Sequence, residues 1–127
     1  MRTTADIRRE RLEKDPAFRE HWERTALARA VANALIHHRA EYRWSQTRLA
    51  QEMGMRQPQV ARLESGEHPL SFETLQRVSH VLGLRFIVEL SPSSPLREQD
   101  PLSLPLHSTI LEEVTTTTGD TLRVAVG

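Results

Sequence analysis

Arg56, Gln57, Gln59 and Arg62 carry side chains suited to reading DNA bases. An arginine guanidinium pairs bidentately with guanine, and a glutamine amide with adenine. The major groove, about 12 Å wide, admits one α-helix, and these four residues fall on one short helix with no acid among them. From residue 44 to 63 three arginines stand against Glu52 alone. The same stretch holds Ser45, Gln46 and Arg48 at and after a helix start. Free N–H groups at such a start suit a phosphate. The expected roles are base contact for Arg56, Gln57, Gln59 and Arg62, and phosphate contact for Ser45, Gln46 and Arg48.

Other chemistries find no support in the sequence. His37 and His38 are adjacent, so they point about 100° apart on a helix and do not chelate together. His21, His68, His80 and His107 lack metal-ligand spacing. No Ser, His and Asp are arranged as a nucleophilic triad, and no glycine-rich phosphate loop is present. The expectation is a non-enzyme with no metal and no cofactor.

The elements that position the basic helix follow from capping and periodicity. Ser45 caps a short helix ending at Gly54. Gln57-Pro58 opens the next, with Pro tolerated in the first turn, and Ser65-Gly66 stops it. Ser71 caps a helix with the apolar stripe Phe72, Leu75, Val78, Val81 and Leu82, ended by Gly83. Upstream, Asp15-Pro16 opens one amphipathic helix running to about Arg43, with Phe18, Trp22, Leu27, Val31, Leu35 and Tyr42 on its stripe. Ile7 and Leu12 suggest a shorter helix before it. Residues 84–90 read as a strand with Leu84, Phe86, Val88 and Leu90 facing one way. That face can cover the helix before it, and the open strand edges must pair with the tail hairpin, a second subunit or a partner. Residues 108–118 and 121–126 read as a hairpin around a two-residue turn, Gly119-Asp120. Leu49, Ala50, Val60, Leu63, Leu75 and Val78 are expected in the core.

The chain has 127 residues, enough for one domain with a modest core. Seventeen basic and seventeen acidic residues cancel, so any basic surface is local. Residues 1–43 hold ten basic and seven acidic groups, and residues 91–127 hold two and five. Cysteine is absent, which excludes disulfides, thiolate metal sites and a cysteine nucleophile. No apolar run spans a bilayer, and the charged N-terminus lacks a signal-peptide core, so a cytoplasmic protein without membrane contact is expected. The domain plan is an N-terminal helical extension over 1–27, a helix-turn-helix domain with terminal strand over 28–90, a Pro/Ser-rich linker over 91–107 and a β-hairpin tail over 108–127. The fold class is mainly α, a four- to five-helix helix-turn-helix domain followed by strands.

Residues 44–66, with Trp-Ser-Gln-x-x-Leu-Ala-x-x-x-Gly-Met-x-Gln-x-x-Val-x-x-Leu-Glu-x-Gly, resemble the XRE family of phage-repressor-like helix-turn-helix domains. The match runs on through Ser71-x-x-Thr-Leu-x-Arg-Val to Gly83. The long preceding helix and the following strand are similar to HigA-type antitoxins of toxin–antitoxin operons. The resemblance implies that Gln46 contacts phosphate, and that Arg39 and Glu64 form a structural ion pair. Pro58 stands where many relatives carry a polar side chain, so that base contact is absent here. The implied function is a repressor that binds its own double-stranded DNA operator as a homodimer. It would also neutralise a small ribonuclease toxin of RelE-like fold. The N-terminal segment with Ile7, Leu12, Phe18 and Trp22 either packs on its own domain or offers Phe18 and Trp22 as anchors for that toxin. The alternatives are a stand-alone regulator without a toxin and an adaptor that no longer reads DNA.

Overall fold

A computed structural model describes residues 1–92 and 108–127. Six helices are followed by three strands. They are α1 (Thr4–Lys14), α2 (Pro16–Arg24), α3 (Ala26–Tyr42), α4 (Gln46–Met53), α5 (Gln57–Ser65), α6 (Phe72–Leu82), β1 (Phe86–Ser91), β2 (Thr109–Thr115) and β3 (Thr121–Val126). The architecture is mainly α with a C-terminal antiparallel sheet. From residue 93 on, the expected linker lies outside the described residues.

The caps explain the helix ends. The Ser45 hydroxyl accepts from the Arg48 N–H, and the Ser71 hydroxyl from the Thr74 N–H. Each satisfies a donor that the first helical turn leaves unpaired. Gly66 ends α5 at φ +66, and a Cβ there would meet the Arg29 Cα at 3.2 Å. Both the left-handed backbone and this close approach to α3 require glycine.

The single helix expected from Asp15 to Arg43 is two. Thr25 interrupts it at φ −101, ψ 12, between α2 and α3. Its hydroxyl donates back to the His21 carbonyl at 2.8 Å and accepts from Arg29 Nη1 at 2.8 Å. A threonine hydroxyl bonding the backbone four residues earlier bends a helix, and here it accompanies a break. This break, together with α1, brings the number of helices to six.

Val31, Leu35, Leu49, Val60 and Val78 are fully buried and form the helical core, with Ala34, Ala50, Met53 and Leu82. Two stripe residues depart from expectation: Phe72 is 74% exposed and Tyr42 58%. Both lie at helix ends, where the stripe runs past the core.

The sheet order is β1-β3-β2, so the last strand lies in the middle. Phe86 pairs with Val126 and Leu90 with Leu122 on one side, and Thr115 with Thr121 on the other. The register of β2 shifts between Ile110 and Glu112, and the extra residue, Leu111, packs against the helical core. That inserted residue is a β-bulge aiming a side chain inward. The hairpin turn is wider than the two residues expected. Thr116 N–H donates to the Asp120 carbonyl and Gly119 N–H to the Thr116 carbonyl. Gly119, at φ +90, closes a three-residue connection. Nor does β1 lay its whole apolar row on α6: Phe86 reaches the core, while Val88 is 43% and Leu90 72% exposed. The strand runs beyond the helices and pairs with β3 of the tail hairpin, one of the partners expected for its open edges.

Candidate nucleic-acid interface

The basic helix is held by a chain of polar contacts that begins on α3. Arg39 Nε and Nη2 each donate to a Glu64 carboxylate oxygen at 2.7 Å. The Glu64 side chain is 6% exposed and that of Arg39 22%. Arg39 Nη1 also donates to the Trp44 carbonyl at 3.2 Å, fixing the α3–α4 turn. Planar guanidinium matches planar carboxylate in this fork, and it raises the Arg39 pKa above its ordinary range.

From Glu64 the contacts run outward to the surface. Gln46 Nε2 donates to Glu64 Oε1 at 3.1 Å, and Gln57 Nε2 donates to Gln46 Oε1 at 2.7 Å. The order Arg39, Glu64, Gln46, Gln57 thus links α3, the start of α4 and the start of α5. Gln46 is held by a donor on one side and an acceptor on the other, which sets its amide orientation. The sequence motif places these residues but not this relay, which depends on side-chain distances.

Arg56, Gln57, Gln59 and Arg62 are all exposed. Gln59 Oε1 accepts from the Arg56 N–H at 2.8 Å. This is half of a capping box, since arginine at the N-cap position offers no side-chain acceptor. The Gln59 amide nitrogen and the Arg56 and Arg62 guanidinia stay available. Ser45 is exposed beside the first turn of α4. Arg48 pairs with Glu52 at 3.1 Å and lies over the Trp44 ring at 5.2 Å.

Residues 37–87 match the family model described as Helix-turn-helix. This segment is an XRE-type helix-turn-helix domain. Over 83 residues, 64% of its length, the chain is 35% identical to antitoxin HigA1 in two strains of Mycobacterium tuberculosis. That alignment covers 56% of those proteins, so the chain spans little more than half the length of these curated relatives. No solved structure matches the chain.

Outside the helix-turn-helix domain a second arginine clamp draws distant parts together. Arg29 Nη2 and Nε donate to Glu112 Oε1 on β2 at 3.0 and 3.2 Å. Its Nη1 donates to the Trp22 carbonyl at 2.6 Å and the Thr25 hydroxyl at 2.8 Å. The guanidinium carbon also sits 3.5 Å from the Trp22 ring centre, with Arg8 at 4.9 Å. Burial pulls the Arg29 pKa down, and the Glu112 carboxylate partly offsets this. Phe18 carries Arg11 over its ring at 4.2 Å and stands 6.1 Å from Trp22. Phe18 and Trp22, the expected toxin anchors, are therefore half-buried in contacts of their own chain. They line a cavity of about 420 Å³ with His21, Arg29, Glu64 and Glu112. Sequence reasoning missed Arg29, which belongs to no motif.

Where α3 meets the helix-turn-helix domain, His38 lies 4.5 Å from the Tyr42 ring and 5.1 Å from that of Trp44. Its Nε2 is buried without a hydrogen bond. Burial pushes its pKa below the ordinary imidazole value, with Glu41 acting weakly the other way. No group of three metal-ligating side chains occurs among the described residues. Among those residues no helix is long and apolar enough to cross a membrane.

Proposed function

We propose that the chain is a sequence-specific repressor and the antitoxin of a toxin–antitoxin pair, and that two copies bind a two-fold operator near its own gene. The observation that carries this reading is the exposed row Arg56, Gln57, Gln59 and Arg62 on a helix tied to α3 and α4 by the Arg39–Glu64–Gln46–Gln57 relay. The relay holds the helix and the Gln57 amide in place before binding, which lowers the cost of ordering them on DNA. Gln46 and Ser45 at the start of α4 would hold a phosphate, with Arg48 beside them, while the four residues of α5 reach the bases. The antitoxin half of the proposal is supported by the similarity to HigA1. Its partner would be a small ribonuclease toxin, and the groove at Phe18 and Trp22 is the proposed contact.

Two experiments test the halves separately. Fluorescence anisotropy with DNA from upstream of its gene should give tight binding that weakens steeply with salt, since phosphate contacts release counterions. Unchanged affinity in Arg56→Ala/Arg62→Ala would overturn the DNA-reading helix. Co-expression with neighbouring genes should rescue growth from one encoding a small ribonuclease. If no neighbour is toxic while DNA binding holds, the chain is a stand-alone regulator.

A further inference from the structure

Strand β1 has an edge that no described residue pairs, and its chemistry selects an occupant. In an antiparallel ladder the backbone groups of successive residues alternate in direction. Gly127 N–H donates to the Arg85 carbonyl at 3.0 Å, so Arg85, Ile87, Glu89 and Ser91 turn their backbone toward β3. Phe86, Val88 and Leu90 therefore turn theirs to the free edge. The same three carry the apolar row, with Val88 and Leu90 exposed. Phe72 continues this surface onto α6, beside a groove lined by Leu75, Leu84 and Phe86. Soluble proteins normally blunt or cover such an edge.

The charges at the edge are self-complementary. Glu89 Oε2 is buried and makes no hydrogen bond, and Arg123 Nη1 stands 3.7 Å from it. Arg85, four residues earlier on the same face, is exposed and enters no ion pair among the described residues. Free-edge groups pair only even residue with even residue. Among such registers, one sets Arg85 of one copy directly opposite Glu89 of the other. It is centred on Ile87, and it also faces Phe86 with Val88 and Leu84 with Leu90.

We infer that β1 joins β1 of a second copy, antiparallel and centred on Ile87, to form a six-stranded sheet across a two-fold axis. The contact buries Val88 and Leu90, sets a second guanidinium beside Arg123 at Glu89, and leaves the exposed row of α5 outside it. This deepens the two-fold operator reading above, and its test does not depend on DNA.

Sedimentation velocity of the full chain at tens of micromolar should give a species of twice the 14.6 kDa chain mass. Leu90→Asp and Val88→Pro should each give the single-chain mass with unchanged far-UV circular dichroism. Leu90 is already in water, and the Val88 N–H is absent from the β3 ladder. Ile87→Cys provides the sharper variant, because the chain has no cysteine. Directly opposed residues of a non-hydrogen-bonded pair lie about 4.5 Å apart at Cα, within disulfide reach. Ile87→Cys should oxidise to a covalent dimer and Leu90→Cys should not. A single-chain mass for the wild type would overturn the inference. So would a dimer that survives both substitutions, or one that Ile87→Cys fails to cross-link. Loss of operator binding with the dimer intact would instead count against the DNA-reading proposal alone.

Discussion

Two arginines ten residues apart on α3 each hold a glutamate, and they do different work. Arg39 ties α3 to Glu64 on α5 and, through Gln46 and Gln57, to the surface proposed to read DNA. Arg29 ties α3 to Glu112, 83 positions away on β2, while covering Trp22 on α2. The first clamp sets geometry within the helix-turn-helix domain. The second joins the N-terminal helices to the C-terminal sheet, on either side of that domain in the chain. The two clamps meet at the cavity beside Phe18, which Arg29, Glu64 and Glu112 all line.

Breaking the first clamp should have the largest effect. Glu64→Ala leaves the half-buried Arg39 without its carboxylate, and halving a fully buried pair costs about 3–5 kcal/mol, the upper bound here. Urea unfolding should report that loss, and anisotropy should show weaker DNA binding, because Gln46 loses its acceptor. Next comes the surface proposed to read DNA. Arg62→Ala should cost about 1–3 kcal/mol of binding and relax specificity at one base pair if it reads a base, with no change in the urea midpoint. Glu112→Ala sharpens the contrast. It should cost about 1–3 kcal/mol of stability, the penalty for a partly buried polar group left unpaired, yet leave operator affinity unchanged. Equal losses of affinity from Glu64→Ala and Glu112→Ala would erase the distinction between the clamps.

The smallest expected effect is a pH slope at the α3–α4 turn. His38 has its pKa lowered by burial, so the unfolded chain takes up its proton first as pH falls. The stability this neutral ring contributes is present above about pH 6.5, the unperturbed histidine value, and is lost as pH drops toward the folded pKa. His38→Phe should therefore flatten the decline in melting temperature between pH 7.5 and 5.5. A parallel decline in both proteins would assign the slope to other groups.

Much of the helical part was legible because its signals are local. Ser45, Gly54, Gly66, Ser71 and Gly83 mark ends within a turn of where they lie, and the motif from Trp44 to Gly66 brings Arg39 and Glu64 into view through resemblance. The break at Thr25 was not legible, since what accompanies it is one hydroxyl bonded to the His21 carbonyl and to Arg29. Periodicity continues straight across it. The hairpin was legible as two strands, but its three-residue turn depends on the Thr116–Asp120 backbone pair. The strand order was hidden for a related reason: Leu84 to Leu90 show alternation, and nothing in alternation says which neighbour a strand takes. Among the proposed site residues, identity came from residue type, while the committed amides of Gln46, Gln57 and Gln59 came only from distances.

The central place of β3 also orders events in time. β1 is complete at Ser91, but its ladder partner begins at Thr121, so a ribosome finishes the helices and the first strand well before the strand that closes them. Helix pairing relies on near neighbours and proceeds early, whereas the sheet waits for a distant segment. During that interval both edges of β1 and the Val88–Leu90 row stand open. The nascent chain passes through a stage in which its helical part is formed and its stickiest strand is bare.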